Sequence, residues 1–168
     1  MKTWNGQQYK TISIIGSFRK HMTHIERAKE IFTRNGFTVL APKSTTVSGS
    51  KDTSFVLLDT DKSKNPREIE KAYLKALLDS SAVYCCNPDG YIGCTAMFEL
   101  GYLIAKGQEV YFQEPPQEAL IHDLITCKHH VCSPERLCQM LQTENSLWKS
   151  REWFDKYDKY NPDFNFEK

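Results

Sequence analysis

Residues 87–106 read NPDGYIGCTAMFELGYLIAK, and they follow a short apolar run, Ala82–Cys86, which reads AVYCC. The apolar run is typical of a buried strand, the Asn-Pro-Asp-Gly step is typical of a turn, and the segment after it is typical of a helix. In open α/β sheets, ligands bind where a strand passes through a glycine-bearing loop into the start of a helix. The stretch therefore predicts an α/β fold and a ligand site at the same place.

Length and composition indicate one domain, residues 1–168, with an α/β core at about 10–115 and a C-terminal helical segment and tail at 116–168. The 22 basic and 21 acidic residues give no basic excess of the kind that binds polymeric nucleic acid. No apolar run approaches the roughly 20 residues of a membrane span, and the N-terminus lacks the apolar core of a signal peptide. We therefore expect a cytoplasmic protein without membrane contacts.

Strand-like and helix-like segments alternate on both sides of the opening stretch. Runs rich in β-branched and aromatic residues predict strands at 10–15, 37–40, 82–86, 108–112 and 129–132. Strands that alternate with helices predict a parallel sheet with helices on both faces. The predicted fold is a doubly wound, Rossmann-like or flavodoxin-like sheet of five parallel strands in the order 2-1-3-4-5.

Capping residues predict where the helices begin and end. Thr23 and Glu26 form the pattern of a capping box, which predicts the start of the first helix. Asn35 followed by Gly36 is typical of the end of that helix. Asn65, followed by a proline, predicts the start of the helix that precedes the strand at 82–86.

The remaining segments are less specific. Residues 43–54 are polar and predict a loop or lid over the edge of the sheet, whereas 55–58 are apolar and typical of either a short strand or a buried segment. Further helices are predicted at about 133–141 and 146–154.

The predicted strand order brings two distant loops together at one edge of the sheet. The first loop follows strand one and contains Gly16, Ser17, Phe18 and Arg19. Glycine lets the backbone approach a ligand closely, and Arg19 suits an anionic group such as a 5′-phosphate. The same residues are also found in ordinary strand-to-helix turns, so this loop alone does not decide between the two interpretations.

The second loop lies within the opening stretch and carries two glycines on either side of an aromatic residue, Gly90, Tyr91 and Gly93. This pattern suits a loop that wraps a flat or sugar-like ligand. Tyr91 and Tyr102 are predicted either to line a base pocket or to lie half-buried in the core.

Glu99 is the candidate catalytic residue of the helix in this stretch. Thr95 is its best side-chain N-cap, which would put Glu99 at the fourth helical position, near the positive helix end that favours an ionised carboxylate. An ionised carboxylate can attack an anomeric carbon. The alternative is an exposed glutamate on an amphipathic helix. Gly101 costs about 1 kcal/mol relative to alanine within a helix, which predicts close packing or a nearby ligand.

These motifs resemble the nucleoside 2-deoxyribosyltransferase superfamily, which includes the 2′-deoxynucleoside 5′-monophosphate N-glycosidases. The resemblance covers about residues 10–115 and rests on the Gly-Ser-Phe step at 16–18 and on Gly-Tyr-Ile-Gly at 90–93. Its most specific part is Phe-Glu-Leu-Gly-Tyr at 98–102, followed by Gly-x-x-Val-Tyr at 107–111.

The resemblance implies a double-displacement reaction on a nucleoside or nucleotide, with no cofactor and no metal. Glu99 would attack C1′ and release the base, and water or a second base would then cleave the glycosyl ester. Gly16, Ser17 and Phe18 match the loop that holds the sugar or the 5′ group in this superfamily, and Arg19 would meet a phosphate. The resemblance also implies a homodimer or a larger homo-oligomer.

The chain departs from the superfamily at the partner carboxylate. The place of the usual aspartate on the helix before strand three falls at Tyr73, so Glu70, one turn earlier on about the same face, is the first substitute and Asp89 the second. Asp59 and Asp61 are further candidates upstream. An aspartate that transferases carry before the nucleophile is also replaced, since that place holds a glycine.

Two other functions are consistent with the sequence. One is a non-catalytic nucleotide-binding or sensor module that uses the same crevice. The other is an interaction domain stabilised by zinc bound to Cys127, His129 or His130, Cys132 and Cys138, although the spacing matches no standard ligand pair. Ordinary reduced cysteines are the simpler explanation for a cytosolic α/β protein.

Overall fold

The computed structural model of the protein describes residues 11–48, 55–125 and 131–142. The strands are β1 (Thr11–Gly16), β2 (Thr38–Ala41), β3 (Ala82–Cys86) and β4 (Val110–Phe112). The helices are α1 (Phe18–Arg34), α2 (Pro66–Asp79), α3 (Cys94–Ala105), α4 (Ala119–Ile125) and α5 (Pro134–Gln142). The predicted helix at 146–154 lies outside the described residues.

The four strands form one parallel sheet in the order β2-β1-β3-β4. This α/β architecture and the order of these strands are as predicted. The predicted fifth strand, at 129–132, is not a strand in the part of the chain that the structure describes. There, Val131 forms a single parallel bridge with Phe112 of β4, while 129 and 130 lie outside the described residues.

Successive side chains of a strand point to opposite sides of the sheet. Helices pack against the apolar side chains on both sides. On one face Tyr84 of β3 packs with Phe32 of α1 and Leu137 of α5, and its ring centroid lies 5.3 Å from that of Phe32. On the other face Cys85 packs with Leu100 of α3 and with α2. All five residues of β3 are buried, which explains its uninterrupted apolar sequence.

Helix α1 begins earlier than its sequence pattern predicted. Ser17 is its N-cap, and the Ser17 hydroxyl accepts a hydrogen bond from the backbone N–H of Lys20 at 3.4 Å. The predicted start at the Thr23–Glu26 capping box is therefore wrong, because the helix already begins upstream at the Ser17 cap. The backbone of His21 departs from helical geometry, so α1 bends there. Its predicted end at Asn35, followed by Gly36 with φ +84°, is confirmed.

The start of α2 is confirmed, but that of α3 differs from the prediction. Asn65 caps α2 by accepting a hydrogen bond from the N–H of Arg67 at 3.0 Å. Helix α3 begins at Cys94, with Gly93 as an N-cap that has no side-chain bond. The prediction of Thr95 as the N-cap is therefore wrong, and Glu99 occupies the sixth helical position instead of the fourth.

Two further features correct or extend the sequence interpretation. Gly101 is exposed, and a Cβ added there would meet no atom within 4 Å among the described residues, so the predicted close packing is wrong. Leu58, in the segment that was ambiguous, forms an isolated antiparallel bridge with Val47.

None of the helices in the described ranges is both long enough and apolar enough to cross a membrane.

The topology puts the ends of β1 and β3 side by side. Gly16 pairs with Cys86, and a Cβ at Gly16 would lie 2.7 Å from the carbonyl oxygen of Cys86, so a side chain would clash there. A Cβ at Gly93 would lie 3.5 Å from Cβ of Ser17. The N-termini of α1 and α3 therefore meet at one edge of the sheet.

Candidate active site

A cleft opens at the edge where β1 and β3 end. Its cavity volume is about 180 Å³, well above the roughly 10–15 Å³ that one water molecule requires. Four predicted residues from the β1–α1 loop line it: Gly16, Ser17, Phe18 and Arg19. The cleft is therefore large enough for an organic ligand and lies at the edge that the strand order predicted.

Six other predicted residues line the same cleft. Helix α2 contributes Glu70 and Tyr73, and α3 with its preceding loop contributes Tyr91, Gly93, Thr95 and Glu99. Three segments that are far apart in the sequence thus converge on one cavity.

Three predicted site residues are not among those that line the cleft. Asp89 adopts a positive φ of +56°, and its carbonyl accepts a hydrogen bond from Nε2 of Gln117 at 2.6 Å. Gly90 lies against the 115–117 segment, where an added Cβ would be 2.4 Å from the carbonyl oxygen of Pro115. Tyr102 is half-buried, with its ring centroid 5.7 Å from Nζ of Lys106. Asp89 therefore does not join Glu99 in the cleft.

Glu99 lies at the bottom of the site, with only 3% of its surface exposed. Among the described residues, its Oε2 has no hydrogen-bond partner. Burial, and secondarily the charge of Glu70, raises the pKa of Glu99 well above its ordinary value. The prediction that the helix dipole favours an ionised Glu99 is therefore wrong. The dipole effect is confined to the first turn of the helix, and burial dominates at the sixth position.

Glu70 is the second carboxyl group of the cleft and is half-buried on α2. Its Oε1 is buried and, within the described ranges, makes no hydrogen bond. Burial raises the pKa of Glu70 as well. Glu70 is less buried than Glu99, and its charge contributes to the raised pKa of Glu99.

Tyr73 lines the cleft together with these carboxyl groups. Its hydroxyl donates a hydrogen bond to the carbonyl of Ile14 in β1, and its ring packs edge-on against Phe18 at a centroid distance of 6.1 Å. Burial, and then the charges of Glu99 and Glu70, raises the pKa of Tyr73 well above its ordinary value. The tyrosine therefore keeps its proton, which is directed to the backbone.

The N-termini of α1 and α3 meet at the cleft, and this part of it favours oxygen-rich ligand groups. Neither α1 nor α3 has an acidic residue in its first turn, so their free N–H groups and positive dipole ends are not neutralised there. Arg19 lines the same cleft. Nζ of Lys20 lies 3.7 Å from the ring centroid of Tyr91, which is a cation–π contact.

His21 is a residue of this region that the sequence pattern did not reveal. It is 5% exposed, and its ring packs edge-on against Tyr91 at 5.6 Å. Its Nδ1 makes no hydrogen bond within the described residues. Burial, and then the charges of Lys20 and His24, lowers the pKa of His21. A lone histidine early in a helix gives no sequence signal, because the bend that buries it depends on tertiary packing.

An apolar wall of the cleft was also not predicted as part of the site. It consists of Phe55, Val56 and Leu58 from the segment before α2, together with Ile69 of α2. Asp61, an upstream candidate in the sequence, lines the cleft next to this wall, whereas Asp59 does not line it. The apolar character of 55–58 was visible in the sequence, but its position over the cleft depends on the bridge to Val47.

Comparison with protein-family models, with curated proteins and with solved structures finds no match for this chain. Within the described residues, no group of three or more His, Cys, Asp or Glu side chains is arranged to hold a metal ion. Of the candidate zinc ligands, Cys132 and Cys138 are free thiols, and Cys127, His129 and His130 lie outside the described residues. The function must therefore be argued from the cleft.

Proposed function

We propose that the protein is a nucleoside 2-deoxyribosyltransferase-like enzyme. It would cleave or transfer the N-glycosidic bond of a deoxynucleoside or nucleoside, or of its 5′-monophosphate, through a covalent glycosyl ester on Glu99. The observation that carries the proposal is the pair of carboxyl groups, Glu99 and Glu70, that face one cleft with raised pKa values and unpartnered oxygens. Two such carboxyl groups are what glycosyl transfer with retention requires.

In the first half of the reaction, an ionised oxygen of Glu99 bonds to C1′ and the bond from C1′ to the base nitrogen breaks. The bonding electrons leave with the base, and Glu70 donates the proton that neutralises it. Burial favours the protonated form of Glu99, so a proton on Glu99 passes to the ionised Glu70 before the attack, and Glu70 then delivers that proton to the base. The positive charge that develops on the sugar in the transition state favours the Glu99 anion.

In the second half, Glu70 accepts a proton from water or from the N–H of an acceptor base. The oxygen or nitrogen of that acceptor bonds to C1′, and the ester bond to Glu99 breaks with its electrons returning to the carboxylate. A hydrolase releases a free sugar or sugar phosphate, and a transferase releases a new nucleoside.

Sugar hydroxyl groups or a 5′-phosphate would bind at the meeting ends of α1 and α3. Ser17, Gly93 and Arg19 line the cleft there, and free helix N–H groups favour oxygen-rich, anionic groups. Phe18 and Tyr91 would contact the sugar or base.

We also propose a doubly wound, five-stranded sheet, a cytoplasmic location and a homodimer or larger assembly. Val131 forms its bridge next to β4, where a fifth strand would be added. Large apolar side chains are exposed on α3 and α4, with Phe98 58% and Leu120 67% exposed, which is compatible with self-association. Light scattering coupled to size-exclusion chromatography would measure the mass in solution.

The decisive experiment incubates the protein with a panel of nucleosides and 5′-monophosphates, with and without an acceptor base, and identifies the products by mass spectrometry. The wild type is expected to release base and to carry a glycosyl adduct on Glu99. The rate of base release by Glu99→Gln is expected to fall by at least about 100-fold, because removal of a catalytic group costs about 10²-fold or more. Glu109→Gln is the matched control, because Glu109 is a partly buried glutamate with a raised pKa outside the cleft. Full base release by Glu99→Gln would rule out the mechanism.

The second candidate, a nucleotide sensor without chemistry, is favoured by one observation. Tyr73 stands where the superfamily has an aspartate, and its hydroxyl donates to the Ile14 carbonyl. Nucleotide binding measured by calorimetry, together with no base release across the whole panel, would support the sensor and exclude the enzyme.

A further inference from the structure

Among the described residues of the segment before α2, Asp61 is the one charged side chain that lines the cleft. Its Oδ2 accepts a hydrogen bond from the N–H of Leu58 at 2.7 Å, and its own N–H donates to the carbonyl of Leu58 at 3.0 Å. These reciprocal bonds close a turn and hold the carboxylate in one orientation. Asp61 is half-buried, so it is fixed in place before any ligand arrives, which reduces the entropy cost of binding.

The neighbours of Asp61 in the cleft are apolar. Phe55, Val56, Leu58 and Ile69 form the adjacent wall, which suits the flat face of an aromatic ring. Asp61 lies in the segment before α2, whereas Glu70 and Glu99 reach the cleft from α2 and α3. An aromatic base against this wall would therefore meet Asp61 while its sugar extends to Glu99.

The chemistry of a carboxylate restricts the base that it can recognise. An ionised aspartate only accepts hydrogen bonds, and its two oxygens together offer about four lone-pair sites, so the bond from Leu58 leaves both oxygens able to accept another. A base that pairs with both oxygens must present two N–H donors side by side. Guanine does so, with N1–H next to its 2-amino group.

The other common bases present a mismatch at one of the two oxygens. Adenine and cytosine place a ring-nitrogen acceptor beside their amino group, and uracil and thymine place carbonyl oxygens on both sides of a single N–H. Hypoxanthine keeps N1–H but lacks the 2-amino group. A mismatched acceptor facing a half-buried carboxylate is repelled, so discrimination comes from repulsion as well as from attraction.

We propose that Asp61 determines base specificity and that the cleft takes a 2-amino-6-oxopurine, that is, a guanine nucleoside or nucleotide. This inference rests on the proposed function, since it assigns the substrate class of the same site. Asp61 touches the base and takes no part in the bond-breaking step. Its removal therefore changes substrate preference and KM more than kcat.

The test compares kcat/KM for 2′-deoxyguanosine and 2′-deoxyinosine, or for their 5′-monophosphates if these are the substrates. The wild type is expected to prefer the guanine substrate by about 10-fold to 100-fold, as one hydrogen bond to a charged group gives. Asp61→Asn keeps an oxygen for the N–H of Leu58 but replaces one acceptor by a donor. It is expected to reduce the preference to about 3-fold or less, mainly through KM for the guanine substrate.

Asp59→Asn is the matched control, because Asp59 is an exposed aspartate of the same turn that does not line the cleft. It should keep the guanine preference of the wild type. A wild type without that preference, or an Asp61→Asn variant that retains it, would overturn the inference while leaving the glycosyl chemistry intact.

Failure of the proposed function is distinguishable from failure of this inference. If no substrate releases its base, calorimetry with 2′-deoxyguanosine and 2′-deoxyinosine still measures recognition directly. Preferential binding of the guanine nucleoside by the wild type, and its loss in Asp61→Asn, would support Asp61 as the base-recognition residue without catalysis. Equal binding of both nucleosides by the wild type would contradict it.

Discussion

Among single side chains, Glu99 shows how burial can override a local helix effect. Its position in α3 suggested an ionised carboxylate, but at 3% exposure the loss of hydration dominates, and the pKa of Glu99 is raised. Because burial favours the protonated form of Glu99, the proposed chemistry requires a second group that takes its proton. Glu70 is the titratable neighbour whose charge acts on Glu99.

The coupling between these two groups can be measured without any activity. Replacing Glu70 by glutamine removes a like charge, so the pKa of Glu99 should fall in Glu70→Gln. It should nevertheless stay above the ordinary value of about 4.3, because burial is the larger cause. Carbon-13 NMR of labelled glutamate carboxyl groups would follow the titration of Glu99 directly.

The control for this titration is Glu109→Gln, which removes a carboxyl group that is not among the charges acting on Glu99. The Glu99 titration should be the same in that variant as in the wild type. An unchanged Glu99 titration in Glu70→Gln would mean that the two groups are not electrostatically coupled.

At the level of the helices and turns, the turn Pro88–Gly90 fixes the loop that leads into α3. Gly90 has φ +72°, and a Cβ there would lie 2.4 Å from the carbonyl oxygen of Pro115 and 3.1 Å from N of Gln117. Any side chain at this position is therefore strained and also displaces the segment after β4. The glycine that the sequence suggested for a ligand is required by chain packing.

A pair of alanine substitutions separates these two effects. Gly90→Ala is expected to lower the free energy of unfolding by about 2–4 kcal/mol, because conformational strain and a backbone clash add. Gly107→Ala is the matched control, since Gly107 has φ +66° but no atom within 4 Å of an added Cβ among the described residues. It should lose only about 1 kcal/mol. Urea unfolding measures both values, and equal losses would show that the contact with Pro115 does not contribute.

The boundaries of the elements show what could be predicted from the sequence. Strand β3 and helix α2 were placed correctly, because the apolar run of five residues in β3 and the Asn65 cap of α2 are local sequence signals. The start of α3 was not, because Gly93 caps it without a side chain and Thr95 offered a more visible alternative. Capping rules detect side-chain acceptors, so they miss a helix whose first turn is left open beside a cleft.

For the molecule as a whole, the strand order was predictable because alternation of strands and helices restricts the possible topologies. That order brought 16–19 and 91–99 to one cleft, so the centre of the site followed from the sequence. The wall at 55–61 did not, since its position depends on the isolated bridge between Val47 and Leu58. The sequence did not distinguish Asp61 from Asp59, whereas the structure shows that Asp61 lines the cleft and Asp59 does not.

The buried carboxyl group of Glu99 also makes the stability of the whole domain depend on pH. Its folded pKa is raised, so the folded state holds a proton that the unfolded chain releases above about pH 4.3. The contribution of Glu99 is fully favourable below that pH, and it is lost as the pH rises towards and through the raised folded pKa. A glutamine at this position does not titrate and avoids the loss.

Glu99→Gln is therefore expected to be more stable than the wild type at pH 7, with a melting temperature higher by roughly 2–4 °C, which corresponds to about 1 kcal/mol in a domain of this size. The difference should shrink as the pH falls and should be small near pH 4, where the carboxyl group is protonated in the folded state and mostly protonated in the unfolded state. Glu118→Gln, which changes an exposed glutamate, should show no such pH dependence. Thermal unfolding by circular dichroism from pH 4 to 8 measures all three proteins.

A Glu99→Gln variant that is less stable than the wild type at pH 7 would show that the carboxylate stabilises the fold. Such a result would contradict the raised pKa of Glu99 in the folded state.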